Sequence, residues 1–261
     1  MDTNEILKLY EDAQLYDDQN SDVTEDLTFW TTIAETYGDL GKPILELGAG
    51  SGRVSLPLCD LGYSLIGIDV SEPMLNLARS KYELLTNPER GACSFITADI
   101  RTYSHSEPLP LIIFPYNSIS HLTTPADLEA FFLKLNQNLL PNGRFVFTVF
   151  VPLPAFLSRD PNGLYPVGSF KSSLSQKQIE LFESMTYDKT TQVNHITWYF
   201  FEDDKDEPYI THLSLRMFYP QELTYLLYYY GFEIEHRYGD YDLSAFDKES
   251  VVQCVVARKR T

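Results

Sequence analysis

The chain has 261 residues and a formal net charge of -17, enough length to bury a full core in one large domain or in a domain with a subdomain. That excess of carboxylates argues against DNA or RNA as a substrate, because nucleic-acid affinity rests largely on Lys and Arg contacts to phosphate. No apolar run approaches the ~18 residues that would span a bilayer. The opening Met1-Asp2-Thr3-Asn4-Glu5 has no basic region before an apolar core, so a cytoplasmic protein without membrane association is expected.

Residues 1–42 are acidic, with Ile6, Leu7, Leu9 and Tyr10, then Leu27, Phe29, Trp30, Ile33 and Tyr37, at three- and four-residue spacing. This pattern predicts an N-terminal cap of amphipathic helices. Ile44 to Leu47 is short and apolar and predicts the buried first strand of a parallel sheet. Gly48, Gly50 and Gly52 then turn the chain into a helix beginning near Arg53. Glycine is needed where the backbone takes positive φ or where a ligand approaches too closely for a Cβ. Val54 to Leu61 reads as that helix, closed by Gly62, and Tyr63 to Ile68 as a second strand ending in Asp69. Seventeen residues separate Gly52 from Asp69, the interval a helix and a returning strand require before an acid can accept two ribose hydroxyls. Ser71 caps the next helix, with Pro73 in its first turn.

Cys93 to Thr97 predicts strand three, Leu111 to Phe114 strand four, and Arg144 to Val151 strand five. Between the last two, Thr124-Pro125 opens an amphipathic helix carrying Leu128, Phe131, Phe132, Leu135 and Leu139, ended by Pro141-Asn142-Gly143. Two alternating runs, Val193 to Tyr199 and Leu213 to Met217, flank an acidic turn and predict an antiparallel hairpin roofing the strand tips. Trp198 and Tyr199 are its candidate substrate contacts, with hairpin packing or a dimer surface as the alternatives. A helix from Pro220 and strands over Phe232 to Tyr238 and Val251 to Ala257 complete the chain. Cys59, Cys93 and Cys254 are far apart among apolar neighbours and read as reduced core thiols. The five histidines are equally dispersed, so no metal site is expected.

The string Glu46-Leu47-Gly48-Ala49-Gly50-Ser51-Gly52-Arg53 resembles motif I of the class I S-adenosylmethionine-dependent methyltransferases. Asp69 and the Ala98-Asp99-Ile100 segment follow it at the family's intervals, and Tyr238 to Lys259 is similar to the ending of its small-molecule group, the amino-sugar and glycine N-methyltransferases. The resemblance implies an α/β, Rossmann-like fold, with seven mostly parallel strands, one of them antiparallel, helices on both faces and a small antiparallel lid. Residues 1–151 and 219–261 would form the cofactor-binding domain, and 152–218 the inserted lid. It further implies that Asp69 grips the ribose, Met74 lies against the adenine, Asp99 takes the adenine amino group beside Ile100, and Arg53 helps hold the methionine carboxylate. Tyr16, in a Tyr-Asp pair, would fold over the cofactor, although amphipathic packing explains it equally well. Glu46, Gly48, Ala49, Gly50, Val70, Pro115 and Asn117 complete the expected cofactor contacts. The acid many relatives carry at the start of strand four is absent here, where Leu109-Pro110-Leu111 stands.

At the end of strand four, His121 lies in a Ser-x-x-His-Leu sequence similar to that of amino-sugar methyltransferases. It is the candidate base or substrate orienter, with Tyr116 or Asn117 assisting. The expected function is methyl transfer from S-adenosylmethionine to a nitrogen or oxygen of a small molecule, in a monomer or homodimer. The competing readings are a non-catalytic S-adenosylmethionine-binding module and, against the glycine spacing, a nicotinamide-dependent oxidoreductase.

Overall fold

A computed structural model of the chain describes residues 10–260, so Ile6, Leu7 and Leu9 of the expected cap lie outside the described residues. Two helices, α1 (Ala13–Gln19) and α2 (Leu27–Tyr37), precede β1 (Ile44–Leu47). Then follow α3 (Ser55–Asp60), β2 (Leu65–Asp69), α4 (Glu72–Glu83), β3 (Cys93–Thr97) and β4 (Leu109–Phe114). A short 3-10 turn (Ser118–His121), α5 (Pro125–Asn138) and β5 (Leu139–Phe150) lead to a second region. That region comprises α6 (Pro154–Leu157), β6 (Tyr165–Lys171), β7 (Gln178–Asp188), β8 (Val193–Glu202) and β9 (Tyr209–Arg216). The chain returns through α7 (Pro220–Tyr229), β10 (Phe232–Tyr238) and β11 (Val252–Lys259).

Seven strands form one sheet in the order β10-β11-β5-β4-β1-β2-β3. The pairs from β5 to β3 are parallel, and β11 runs antiparallel to both of its neighbours. Alternation along these strands sends Leu45, Leu47, Ile66, Ile68, Ile112 and Phe114 to one face, where Phe131, Phe132 and Leu135 of α5 and Leu223 and Leu227 of α7 cover them. Ile44, Leu65, Leu111 and Ile113 go to the other face, against Phe29, Trp30 and Ile33 of α2 and Leu58 of α3. Both faces are thus apolar, the signature of a parallel sheet layered between helices. Strand order reverses between β1 and β4, and at such a point the strand tips open a crevice for a ligand.

Local chemistry accounts for the helix starts. Thr124 and Asp127 make a reciprocal capping box on α5, and Ser71 Oγ accepts from Met74 N to start α4. The expected antiparallel hairpin over 193–217 is present as β8 and β9, and it forms one half of a larger four-stranded antiparallel sheet, β6-β7-β8-β9, with β9 at its edge. Strand β7 was missed because Glu183 interrupts its apolar alternation of Ile179, Leu181 and Met185. That carboxylate is buried against Arg159 and Trp198. Strand β6, with a proline, a glycine and a serine, carries little strand signal. Strand β5 also starts earlier than Arg144. Leu109 pairs with Leu139 and Leu111 with Arg144, so Pro141-Asn142-Gly143 sits in an irregularity of the ladder, where a missing donor is tolerated. Among the described residues, no helix is long and apolar enough to cross a membrane.

Candidate active site

The glycine turn after β1 is built against two neighbours. Gly48 and Gly50 take φ of +65° and +53°, and a Cβ on Gly50 would come 3.3 Å from Met74 Cε. Asp69, at the tip of β2, fixes this loop: one carboxylate oxygen accepts from Gly50 N and the other from Ser71 N, each at 2.9 Å. Burial raises its pKa, against the pull of those backbone N–H groups. Behind the loop Glu46 is only 2% exposed and accepts from Ser55 Oγ. Burial pushes its carboxyl up to about 8, opposed by the Ser55 hydrogen bond and the Arg53 charge.

Arg53 faces the N-terminal segment. Its guanidinium donates to both oxygens of Asp26 at 2.5 and 2.9 Å and to Val23 O, and it lies over the Tyr116 ring at 4.9 Å. Asp26 also accepts from Trp30 Nε1 at 3.0 Å. A second clasp joins α1 to the loop and to α4: Asp17 accepts from Ser51 Oγ at 2.6 Å and from Lys81 Nζ at 2.5 Å. Together these contacts hold Tyr10 and Tyr16, edge to face at 5.2 Å, over the strand tips. Ser71 Oγ secures the backbone there by donating to Tyr10 O at 3.1 Å.

At the tip of β4 the chain takes positive φ at two successive non-glycine residues, Tyr116 (56°) and Asn117 (61°). Such residues cost roughly 1–3 kcal/mol each and persist only when their surroundings over-determine them. Here Tyr116 N donates to Thr148 Oγ1, Asn117 N to Thr148 O, and Asn117 Oδ1 accepts from Phe150 N at 2.7 Å. Tyr116 Oη adds a bond to Asn20 at 2.8 Å. The strained turn delivers the 3-10 segment, and with it His121. Tyr10 Oη lies 3.0 Å from His121 Nε2, while Nδ1 is enclosed without a hydrogen-bond partner. Burial pushes the imidazole pKa down to about 4.

These parts enclose a cavity of about 120 Å³. Tyr10, Tyr16, Phe114, Ser118 and His121 line one side, and Gly48, Gly50, Asp69, Val70, Met74, Asp99 and Ile100 the other. A smaller one of about 50 Å³ shares Tyr16, Gly48, Gly50 and Ser118 with it and adds Glu46, Ala49, Arg53, Pro115 and Tyr116. Asp99 enters the larger cavity already paired, through Arg101 Nη2 at 2.6 Å and Nε at 3.0 Å. Burial opposes its ionisation, but the Arg101 hydrogen bonds and charge outweigh that and hold its pKa below the usual carboxylate value.

Residues 44–143 match the family model described as a methyltransferase domain. Across 96% of this chain and 100% of that one, the fold is similar to the CcbJ methyltransferase from Streptomyces caelestis, with a TM-score of 0.76 and 23% identity. The fold is that of a Rossmann-like methyltransferase. CalS10, an amino pentose methyltransferase from Micromonospora echinaspora, has a TM-score of 0.67 at 16% identity, with 97% of each chain covered. The N-methyltransferase FrzE of Cladobotryum sp is 28% identical over 153 residues, 51% of this chain and 51% of its own. The chain spans about half the length of the curated relatives it matches.

Within this fold, most residues singled out from sequence converge. Tyr16, Gly48, Gly50, Asp69, Val70, Met74, Asp99, Ile100 and His121 share the larger cavity, and Glu46, Ala49, Arg53, Pro115 and Tyr116 the smaller. Asn117 lines neither, and its side chain closes the strained turn on Phe150. Trp198 and Tyr199 also line neither cavity. Trp198 packs among Ile196, Leu213, Ile179 and Phe200 and reaches Glu183 at 3.4 Å, while the Tyr199 hydroxyl meets Ser184. Tyr10, Arg101 and Asp127 are site residues that the sequence reading did not single out. A signal existed only for Asp127, whose capping position after Thr124 was legible.

Proposed function

We propose that this protein transfers the methyl group of S-adenosylmethionine to a small molecule, and that the acceptor atom is an amine nitrogen. The observation that carries the reading is the convergence of Asp69, Asp99, the glycine turn and His121 on one cavity at the topological switch point. The residues fit this cofactor. Gly50 leaves open the space beside Met74 that a Cβ would crowd, and two carboxylates along one wall suit a ribose diol and an adenine amino group. Tyr10 and Tyr16 offer aromatic faces to a cationic centre. Nitrogen as acceptor is supported by likeness to CalS10 and FrzE, whose names describe an amino pentose methyltransferase and an N-methyltransferase.

When bound, S-adenosylmethionine supplies a methyl carbon activated by a sulfonium. The protein's own work is alignment and exclusion of water. Asp69 is held rigid by two backbone donors, and Tyr10 and Tyr16 close the cavity from the side of the N-terminal segment. His121, with a pKa pushed down to about 4, binds a proton too weakly to draw one from an alkylammonium. It therefore acts as a neutral orienting group, with Tyr10 setting its ring. The amine arrives deprotonated and loses its second proton to solvent after transfer.

Calorimetric titration of S-adenosylmethionine and S-adenosylhomocysteine into wild type and Asp69→Ala, with NAD as control, tests the cofactor assignment. Saturable binding at roughly micromolar Kd, lost in the variant and absent for NAD, supports it. Binding indifferent to Asp69 would sink it. Screening amines against alcohols for S-adenosylhomocysteine release then tests the nitrogen assignment. Release with alcohols alone overturns it, and binding without release for any acceptor favours a non-catalytic module.

A further inference from the structure

Among the residues lining the larger cavity, Asp99, Arg101 and Asp127 form a hydrogen-bonded chain of their own. Asp99 follows β3, and its carboxylate meets the guanidinium two residues on. Oδ1 accepts from Arg101 N at 2.8 Å; Nε is shared between Oδ1 at 3.0 Å and Oδ2 at 3.1 Å, and Nη2 donates to Oδ2 at 2.6 Å. The other side of the same guanidinium donates through Nη1 to Asp127 Oδ1 at 2.5 Å. Asp127 is fixed in turn by the start of α5, where its Oδ2 accepts from Thr124 Oγ1 at 2.6 Å and from Thr124 N at 3.2 Å. Hydrogen bonds therefore run without a break from the N-terminus of α5 to the acid after β3. The Asp99 side chain keeps 26% of its surface open.

An ionised carboxylate offers about four acceptor sites, two on each oxygen. The guanidinium fork takes one on each oxygen of Asp99 and the Arg101 backbone N–H a second on Oδ1, so one site remains, on Oδ2. The fork also sets the plane of the carboxylate, and with it the direction of that site. We propose that Arg101, held by Asp127, is a positioning residue that leaves Asp99 one directed acceptor, and that this acceptor selects a 6-amino purine over a 6-oxo purine. The inference rests on the reading of the cavity as an S-adenosylmethionine site and adds two residues and a base preference to it. An adenine amino group donates to the open site on Oδ2, whereas the oxo group of hypoxanthine brings a second acceptor against it.

The probes are S-adenosylhomocysteine and S-inosylhomocysteine, amino and oxo respectively at the purine 6-position, titrated calorimetrically into wild type, Arg101→Gln, Arg101→Lys and Asp127→Asn. Wild type is expected to prefer the adenosyl compound about 30-fold, the scale of one hydrogen bond to a charged group. In Arg101→Gln the preference falls to about 3-fold or less, through weaker binding of the adenosyl compound while the inosyl affinity is kept. Arg101→Lys keeps the charge without the fork, and Asp127→Asn keeps an oxygen for Nη1 without the charge, so both fall between. A guanidinium that only stabilises the loop after β3 would lower both affinities together and leave the ratio as in wild type. That result overturns the proposal, as does equal binding of the two probes by wild type. Should Arg101→Gln bind neither probe, the other two variants decide: a wild-type ratio in both, or loss of both probes in both, overturns the proposal. Wild type that binds neither probe overturns the proposed function, and this inference with it.

Discussion

Replacing Glu46 by Gln isolates the electrostatic cost of the acid behind the glycine turn. Its side chain is 2% exposed and its pKa is pushed up to about 8 by burial, against an ordinary glutamate near ~4.3 in the unfolded chain. The native state therefore holds a proton at pH 7 that the unfolded state has released. The sign follows directly: the contribution is full below about pH 4 and is lost as pH rises toward about 8. Between pH 5 and 7 the native form stays almost wholly protonated and the unfolded form ionised, so wild type loses about 3 kcal/mol over that interval from this group alone. Glutamine keeps the shape and an acceptor for Ser55 Oγ but does not titrate. Urea unfolding followed by circular dichroism at pH 5, 6 and 7 should show Glu46→Gln gaining on wild type by that amount as pH rises. A difference between the two proteins that is constant with pH refutes the argument, because it would mean that Glu46 ionises in the folded protein as freely as in water.

Asp26→Ala leaves Arg53, whose side chain is 19% exposed, without its carboxylate partner. Removing one member of a buried pair should cost about 3–5 kcal/mol in urea unfolding, and a loss under about 1 kcal/mol would show the pair to be as weak as a surface one. His121 acts on the acid side. With its pKa lowered to about 4 by burial and an unfolded value near ~6.5, the unfolded chain alone takes up the proton between those values. Stability therefore falls by up to about 3 kcal/mol as pH drops from 6.5 to 4. His121→Gln should flatten that part of the profile, and an unchanged slope would contradict the assignment.

The large sheet was legible because each of its signals is local. Gly62 and Gly231 take positive φ where the sequence closes helices, Ser71 and Thr124 cap as expected, and Cys93–Thr97 and Phe232–Tyr238 are strands with the bounds read from the pattern. The four-stranded sheet was legible only by half, since Glu183 is buried through partners on α6's flank and on β8 that no local pattern reveals. In the site, residues within motifs could be read, and those brought by long-range packing could not. Tyr10 meets His121 across 111 positions of sequence, and Arg101 looks like any polar loop residue until its contact with Asp127 is seen. Arg53 was legible as a residue of the turn, but its partner Asp26 was not.

The clasp made by Asp17 with Ser51 and Lys81 has a consequence for traffic through the site. The described residues before β1 contribute no strand to the large sheet, yet Tyr10 and Tyr16 form one wall of the cavity. That wall is held both by these polar contacts and by the packing of Tyr10 and Leu15 on the four-stranded sheet, so the segment before β1 ties the cavity to both sheets. A molecule seated inside adds its own contacts to the closed arrangement, so occupancy and closure reinforce each other by equal amounts of free energy.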